Sequence, residues 1–204
     1  MHKRVLALPA VGLAALLVAG CGSDDDATSA APSMTGMPSS SASASVSAEH
    51  NDADVMFAQM MIPHHQQAVE MAKMAATRAA DPEVKSLAAK IQTAQDPEIQ
   101  TMTGWLTAWG AAMPTAMPGM EGMDMPSMPG AMSEADMKKL ESLSGAAFDK
   151  EFLTSMVAHH KGAITMAEEE QKNGKNPDAV ALAKKIVTDQ TAEISEIQKL
   201  LQGA

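Results

Sequence analysis

Tyrosine is absent from this chain of 204 residues, and aromatic rings of every kind make up only 2% of it. That scarcity excludes most sandwiches and barrels, whose strands favour Tyr, Phe, Trp and β-branched residues. One Cys cannot make a disulfide framework. No Ser/His/Asp order, phosphate-cradling Gly loop or CxxC pair is present, so acyl transfer by a triad, nucleotide chemistry and dithiol redox chemistry have no foothold. Basic side chains are few, 15 against 25 acidic, which argues against a nucleic-acid partner. What remains is 46% hydrophobic residues, including 19 Met. Ala, Leu and Met are helix formers, so the expected fold is all-α, with Met filling the core where other proteins use rings.

The N-terminus reads as an address. Met1-His2-Lys3-Arg4 is a basic start, Val5 to Ala19 is an apolar run of 15 residues, and small residues lead into Cys21. This is the pattern of a signal peptide over 1–20, and the run is shorter than the roughly 17–25 residues of a spanning helix. Leu17-Val18-Ala19-Gly20-Cys21 resembles the bacterial lipobox. That resemblance implies lipidation of Cys21, a mature chain beginning there, and an extracytoplasmic lipoprotein anchored to the cell membrane. Removal of Lys3 and Arg4 leaves 13 basic against 25 acidic side chains, a balance of −12. Residues 21–48 are Ser, Ala, Pro, Thr and Asp with few large apolar side chains, too little to offset their ordering entropy, so a disordered tether is expected.

Slid by 95 residues, the chain matches itself. Asp54, Phe57, Met61, His64, His65, Ala68, Met71 and Ala72 fall on Asp149, Phe152, Met156, His159, His160, Ala163, Met166 and Ala167. Farther on, Pro82, Leu87, Lys90, Ile91, Gln95 and Glu98 fall on Pro177, Leu182, Lys185, Ile186, Gln190 and Glu193. About a third of the aligned positions are identical without a gap, which marks a duplication. The repeats are placed at 52–109 and 147–202, within a folded region 49–204. Asp81-Pro82 and Asn176-Pro177 are helix starts, an N-cap followed by Pro at the first helical position. Each repeat is therefore a hairpin of two helices, and two hairpins make a four-helix bundle. Pro63 and Pro97 fall inside the expected helices, where a local irregularity is anticipated. Ser133 and Asp136 suggest a capping box for a short helix toward Leu143.

At 100° per residue, Asp54, Phe57, Met61, Ala68 and Ala72 share one face with His64 and His65 on its flanks, and the second copy repeats the arrangement. Four imidazoles (His64, His65, His159, His160), two thioethers (Met61, Met156) and two carboxylates (Asp54, Asp149) are expected to converge near the bundle axis. Buried imidazoles need partners. These could be one another, the Asp residues or a metal, and the matched doublets preceded by Met favour a metal. Imidazole suits several transition metals, whereas thioether is a soft ligand that selects Cu(I), so copper, as Cu(I) or Cu(II), is the ion expected. Residues 110–132 form a Met/Pro/Gly loop that excludes regular helix. Its Met117, Met120, Met123, Met125 and Met128 offer further soft donors, and Met34 and Met37 repeat the spacing in the tether. Free imidazole titrates near 6.5, so copper binding is expected to weaken below about pH 6.

The pattern Asp54-x-x-Phe57-x-x-x-Met61-x-x-His64-His65-x-x-Ala68-x-x-Met71-Ala72, in duplicate, resembles the bacterial domain-of-unknown-function family numbered 305. The resemblance implies a ferritin-like four-helix domain, found largely in exported proteins, with some members linked to copper binding or tolerance. Ala158 stands where the Met-Ile-Pro-His-His form of the motif has Pro63. The leading functional reading is a binding module for copper sequestration, tolerance or transfer, with a metal-transfer protein as a possible partner. Against it stand an envelope interaction protein with structural His residues and a partner-docking Met loop, and a ferritin-like redox enzyme. Di-iron bundles use Glu-x-x-His pairs, and no Glu lies three residues before any His of the doublets.

Overall fold

The computed structural model describes residues 47–114 and 128–203. The signal peptide, Cys21, Met34, Met37 and all of the tether but its last two residues lie outside the described residues, as do Met117, Met120, Met123 and Met125. Among the described residues five helices are present: α1 Asp52–Arg78, α2 Pro82–Ala108, the short α3 Glu134–Ser142, α4 Gly145–Asn173 and α5 Pro177–Gly203. Among the described residues no helix is long and apolar enough to cross a membrane.

The helix starts follow local chemistry. The Asn51 side chain accepts from Ala53 and Asp54 N–H while the Asp54 carboxylate takes the Asn51 N–H, a reciprocal capping box. Asp81 and Asn176 cap α2 and α5 with Pro at the first helical position, and Ser133 caps α3 through Asp136 N–H. Pro63 and Pro97 lie within helices that continue through them.

α1 pairs with α2, α4 with α5, and α1 with α4, while α2 and α5 meet along a thinner seam. The two hairpins pack antiparallel through α1 and α4. Asp54, at the start of α1, accepts from Lys175 and Asn176 N–H in the α4–α5 turn. Asp149, at the start of α4, accepts from Ala80 and Asp81 N–H in the α1–α2 turn. Each first helix thus caps the other hairpin's turn, and the duplication becomes an approximate two-fold axis. The connection from α2 to α4 must travel the length of the bundle, as in ferritin-like folds with one long crossover.

The apolar core comes in two blocks. One gathers Ala68 to Ala75 of α1 and Ala79 just after it, Val84 to Ile91 of α2, Phe148 to Met156 of α4 and Ile197 of α5. The other gathers Phe57 to Ile62, Met102 to Leu106, Ala163 to Ala167 and Ala179 to Ile186. Each long helix places buried polar residues between its two apolar stretches: His64, His65 and Gln67; Gln95 and Glu98; His159 and His160; Gln190. A polar layer therefore divides the core. Since both apolar blocks are complete without it, the bundle is expected to fold without metal. Far-UV circular dichroism of chelator-treated protein should stay strongly helical, and collapse to coil would instead make a metal the folding ligand.

Candidate metal centre

All four imidazoles are fully buried in this layer. His64 and His159 meet across the two-fold axis with ring centroids 3.7 Å apart. His65 turns toward α2, where its Nε2 lies 2.8 Å from Glu98 Oε2. His160 makes the equivalent contact with Glu193 Oε2 at 2.6 Å. His64 Nε2 lies 3.0 Å from the Pro129 carbonyl. A carboxylate and a carbonyl only accept, so in the neutral ring Nε2 carries the proton at all three His, and the Nδ1 lone pair is left over. Each of these Nδ1 atoms is buried without a protein partner, as are both nitrogens of His159. Gln95 lacks partners for both amide atoms and Gln190 for its oxygen. Buried polar groups left unpaired cost about 1–3 kcal/mol each. A ligand that takes several nitrogen lone pairs at once would relieve that cost.

The electrostatics keep the central rings neutral. Burial, reinforced by the neighbouring His65, lowers His64 to about 3. His159 is held well below 6.5 by burial and then by His64. The two central rings therefore keep a lone pair free to lower pH than a solvent-exposed imidazole does. For Glu98, burial favours the neutral acid, but the hydrogen bond from His65 and the Lys185 ammonium, 3.0 Å from Oε1, bring it below the usual carboxylate value. Glu98 and Glu193 thus fix ring orientation and tautomer, a role carboxylates play behind metal-bound His.

The expected carboxylate ligands do not join the cluster. Asp54 lies ten residues before His64, about 15 Å along the helix, and serves as a cap at one end of the bundle. Asp149 does the same at the other end. Met61 and Met156 are fully buried one turn from the doublets, but in opposite apolar blocks. They flank the His layer from its two sides. Met128 is buried at the start of the segment that returns toward α3. Among the described residues, no three His, Cys, Asp or Glu donors are already gathered around one point, so a shared site requires ring rotation.

The returning segment 128–132 roofs the His layer. Gln67 clamps it through a double amide bond, Nε2 to the Met132 carbonyl at 2.9 Å and Oε1 from the Met132 N–H at 2.8 Å. Gly130 has φ +74° and passes against the Ala158 carbonyl, and a Cβ on Gly162 would collide with the Pro129 carbonyl. Gln67 and Gly162 are matched positions of the repeat, so the two-fold symmetry is broken where the segment crosses. Gly162→Ala should lift the segment off α4 and free the His64 N–H. The loss expected is about 2–3 kcal/mol, from backbone displacement and a lost buried hydrogen bond. Chemical denaturation measures it, and an unchanged midpoint would contradict the packing.

Residues 54–201 match DUF305, a domain of unknown function. Among solved structures, a DUF305 protein of Streptomyces coelicolor is 36% identical, with a TM-score of 0.67, and the alignment covers 74% of this chain and 93% of that one. A DUF305 fragment from Deinococcus radiodurans is 29% identical with a TM-score of 0.66, over 76% and 98% of the two chains. CopM, solved in Cu(II)-, Cu(I)- and Ag-bound forms, is similar as well. Its Cu(II)-bound form is 34% identical with a TM-score of 0.62, over 74% of this chain and 96% of that one. No curated protein matches the chain.

Proposed function

This chain belongs to the DUF305 family, and from that premise and the buried His layer we propose that it is an extracytoplasmic, lipid-anchored copper-binding protein rather than an enzyme, serving sequestration, tolerance or transfer of the ion. The observation that carries the reading is the set of four buried imidazoles whose Nδ1 lone pairs have no protein partner. His64, His65, His159 and His160 supply those lone pairs, and Met61 and Met156 supply soft thioether donors from either side of the layer. The layer's burial and its neutral central rings favour the monovalent ion, which asks for few ligands and brings little charge into the core. CopM, with about a third of its residues in common, was solved with both copper ions and with silver. The Streptomyces coelicolor relative carries the description of a secreted protein, in keeping with the leader and lipobox of residues 1–21. The test is titration of the protein with Cu(I) and Cu(II) against competing chelators. Tight, stoichiometric Cu(I) uptake is expected, and affinity no better than that of a free imidazole would overturn the proposal.

The Met loop is the capture arm in this reading. Because burial holds His64 and His159 below the ordinary imidazole value, acid alone is a poor way to silence the core, and the arm is best examined where both are Ala. There, changing Met117, Met120, Met123, Met125 and Met128 to Leu, which keeps volume and removes the soft donor, should lower the number of Ag(I) ions bound and leave Cu(II) uptake unchanged. Equal Ag(I) uptake by the Leu variant would return the loop to a partner-docking role.

A further inference from the structure

Away from the His layer, a cavity of about 320 Å³ opens between α1 and α4 near the Asp54 end of the bundle. Its walls include the thioethers of Met56, Met60 and Met166, the Phe57 ring, Pro129 and the carboxyl group of Glu170. Glu170 is 2% exposed, and the adjoining Asp54 carboxylate is the one group beside its carboxyl oxygens that can share its proton. The duplication shows that this void is a departure from the repeat and not a consequence of the fold. Ala53 lines the cavity, whereas its counterpart Phe148 is fully buried and stacks on Phe152 with centroids 5.8 Å apart. Glu170 replaces the small apolar Ala75, and Met56 and Met60 correspond to Glu151 and Ser155. One end of the bundle is filled by phenyl rings. The other is hollowed out, lined with sulfur, and given a buried acid.

We propose that this cavity is a second metal site, for a soft monovalent cation such as Cu(I) or Ag(I), held by the thioethers of Met56, Met60 and Met166 with the Glu170 carboxylate as anionic ligand. Thioethers select soft ions, and unbranched Met side chains can turn their sulfur inward without moving the backbone. A bare cation in an apolar cavity would be strongly disfavoured, and Glu170 supplies the opposite charge within it. The exposed Met56, at 59%, gives an approach from solvent. The site does not depend on the His layer, and the two are separable by experiment.

The probe is Ag(I), titrated into the full chain carrying 13C-labelled Met methyl groups, with bound silver counted by metal analysis. The methyl resonances of Met56, Met60 and Met166 should shift together, and should still do so in the His64→Ala, His159→Ala variant. Changing the three Met to Leu should lower the stoichiometry by one ion per chain. Ala53→Phe, which copies the filled end, should do the same with the circular dichroism of the parent retained. Glu170→Gln should weaken that ion at least tenfold. Unmoved methyl signals from these three Met during Ag(I) uptake, or parental stoichiometry in both the Leu and Phe variants, would overturn the site. Loss of all Ag(I) binding in the His variant would overturn its independence.

Discussion

Replacing His64 and His159 together by Ala is expected to weaken the Cu(I) ion held in the His layer by at least a thousandfold while the helical signal survives. The two rings form the centre of the polar layer, 3.7 Å apart by centroid, and between them hold three of the unpaired buried nitrogens. At about 1.4 kcal/mol per tenfold, a thousandfold loss amounts to roughly 4 kcal/mol for two imidazole ligands. Stability should change less than the size of the truncation suggests. Deleting buried side chains leaves cavities that cost about 2–4 kcal/mol each. The same deletion removes polar atoms that had no partner, worth about 1–3 kcal/mol each. The Pro129 carbonyl loses its donor, which partly restores the cost. His65→Ala should be the less tolerated change, because Glu98 would keep its buried charge with only Lys185 beside it. Cu(I) stoichiometry and affinity both unchanged from the parent in the double variant would remove the His layer from the binding site.

Much of this architecture is legible without coordinates because it depends on local rules. A constant offset of 95 residues reveals the duplication, and Asp81-Pro82 and Asn176-Pro177 mark helix starts that coincide with α2 and α5. The inward turn of both His doublets also follows from helical periodicity. A helical wheel, however, gives angle and not height. Asp54 shares a face with His64, yet sits at the end of the bundle capping a turn of the other hairpin. Glu98 and Glu193 were visible as matched positions, but their meeting with His65 and His160 needs the register of each hairpin, which no local pattern states. The return of 128–132 over the layer is harder still. Its sign lies in a mismatch within the repeat, Gln67 against Gly162, where one residue clamps the segment and the other makes room for it. The neutral state of the central rings depends on depth of burial, which follows only from the packed bundle.

Stability measured without metal is expected to peak near pH 6–6.5 and to fall on both sides, for opposite reasons. On the acid side, an unfolded His takes up a proton near 6.5, while His64 in the fold resists it to about 3 and burial holds His159 well below 6.5. The unfolded chain then binds more protons, so stability is complete above 6.5 and is lost as pH falls toward 3, at up to about 1.4 kcal/mol per pH unit for each ring. On the alkaline side the group is Glu170, which burial and the adjoining Asp54 carboxylate push up to about 8. Its folded form keeps a proton that the unfolded chain releases near 4.5. That contribution is present below 4.5 and is lost as pH rises to 8. Between 4.5 and 6.5 the two rings outweigh the single acid by one group, so the two limbs fall about equally there, and the acid limb becomes the steeper one only below 4.5, where Glu170 no longer opposes it. Glu170→Gln carries a permanently neutral side chain of nearly the same shape and should erase the alkaline limb alone. At pH 8.5 the variant should exceed the parent by about 3–4 kcal/mol, and at pH 4.5 the two should nearly coincide. Urea midpoints across this range, with chelator present, decide it. Parallel curves for parent and variant would show that Glu170 is ionised in the fold at neutral pH, and that its burial is tolerated by some means other than holding its proton.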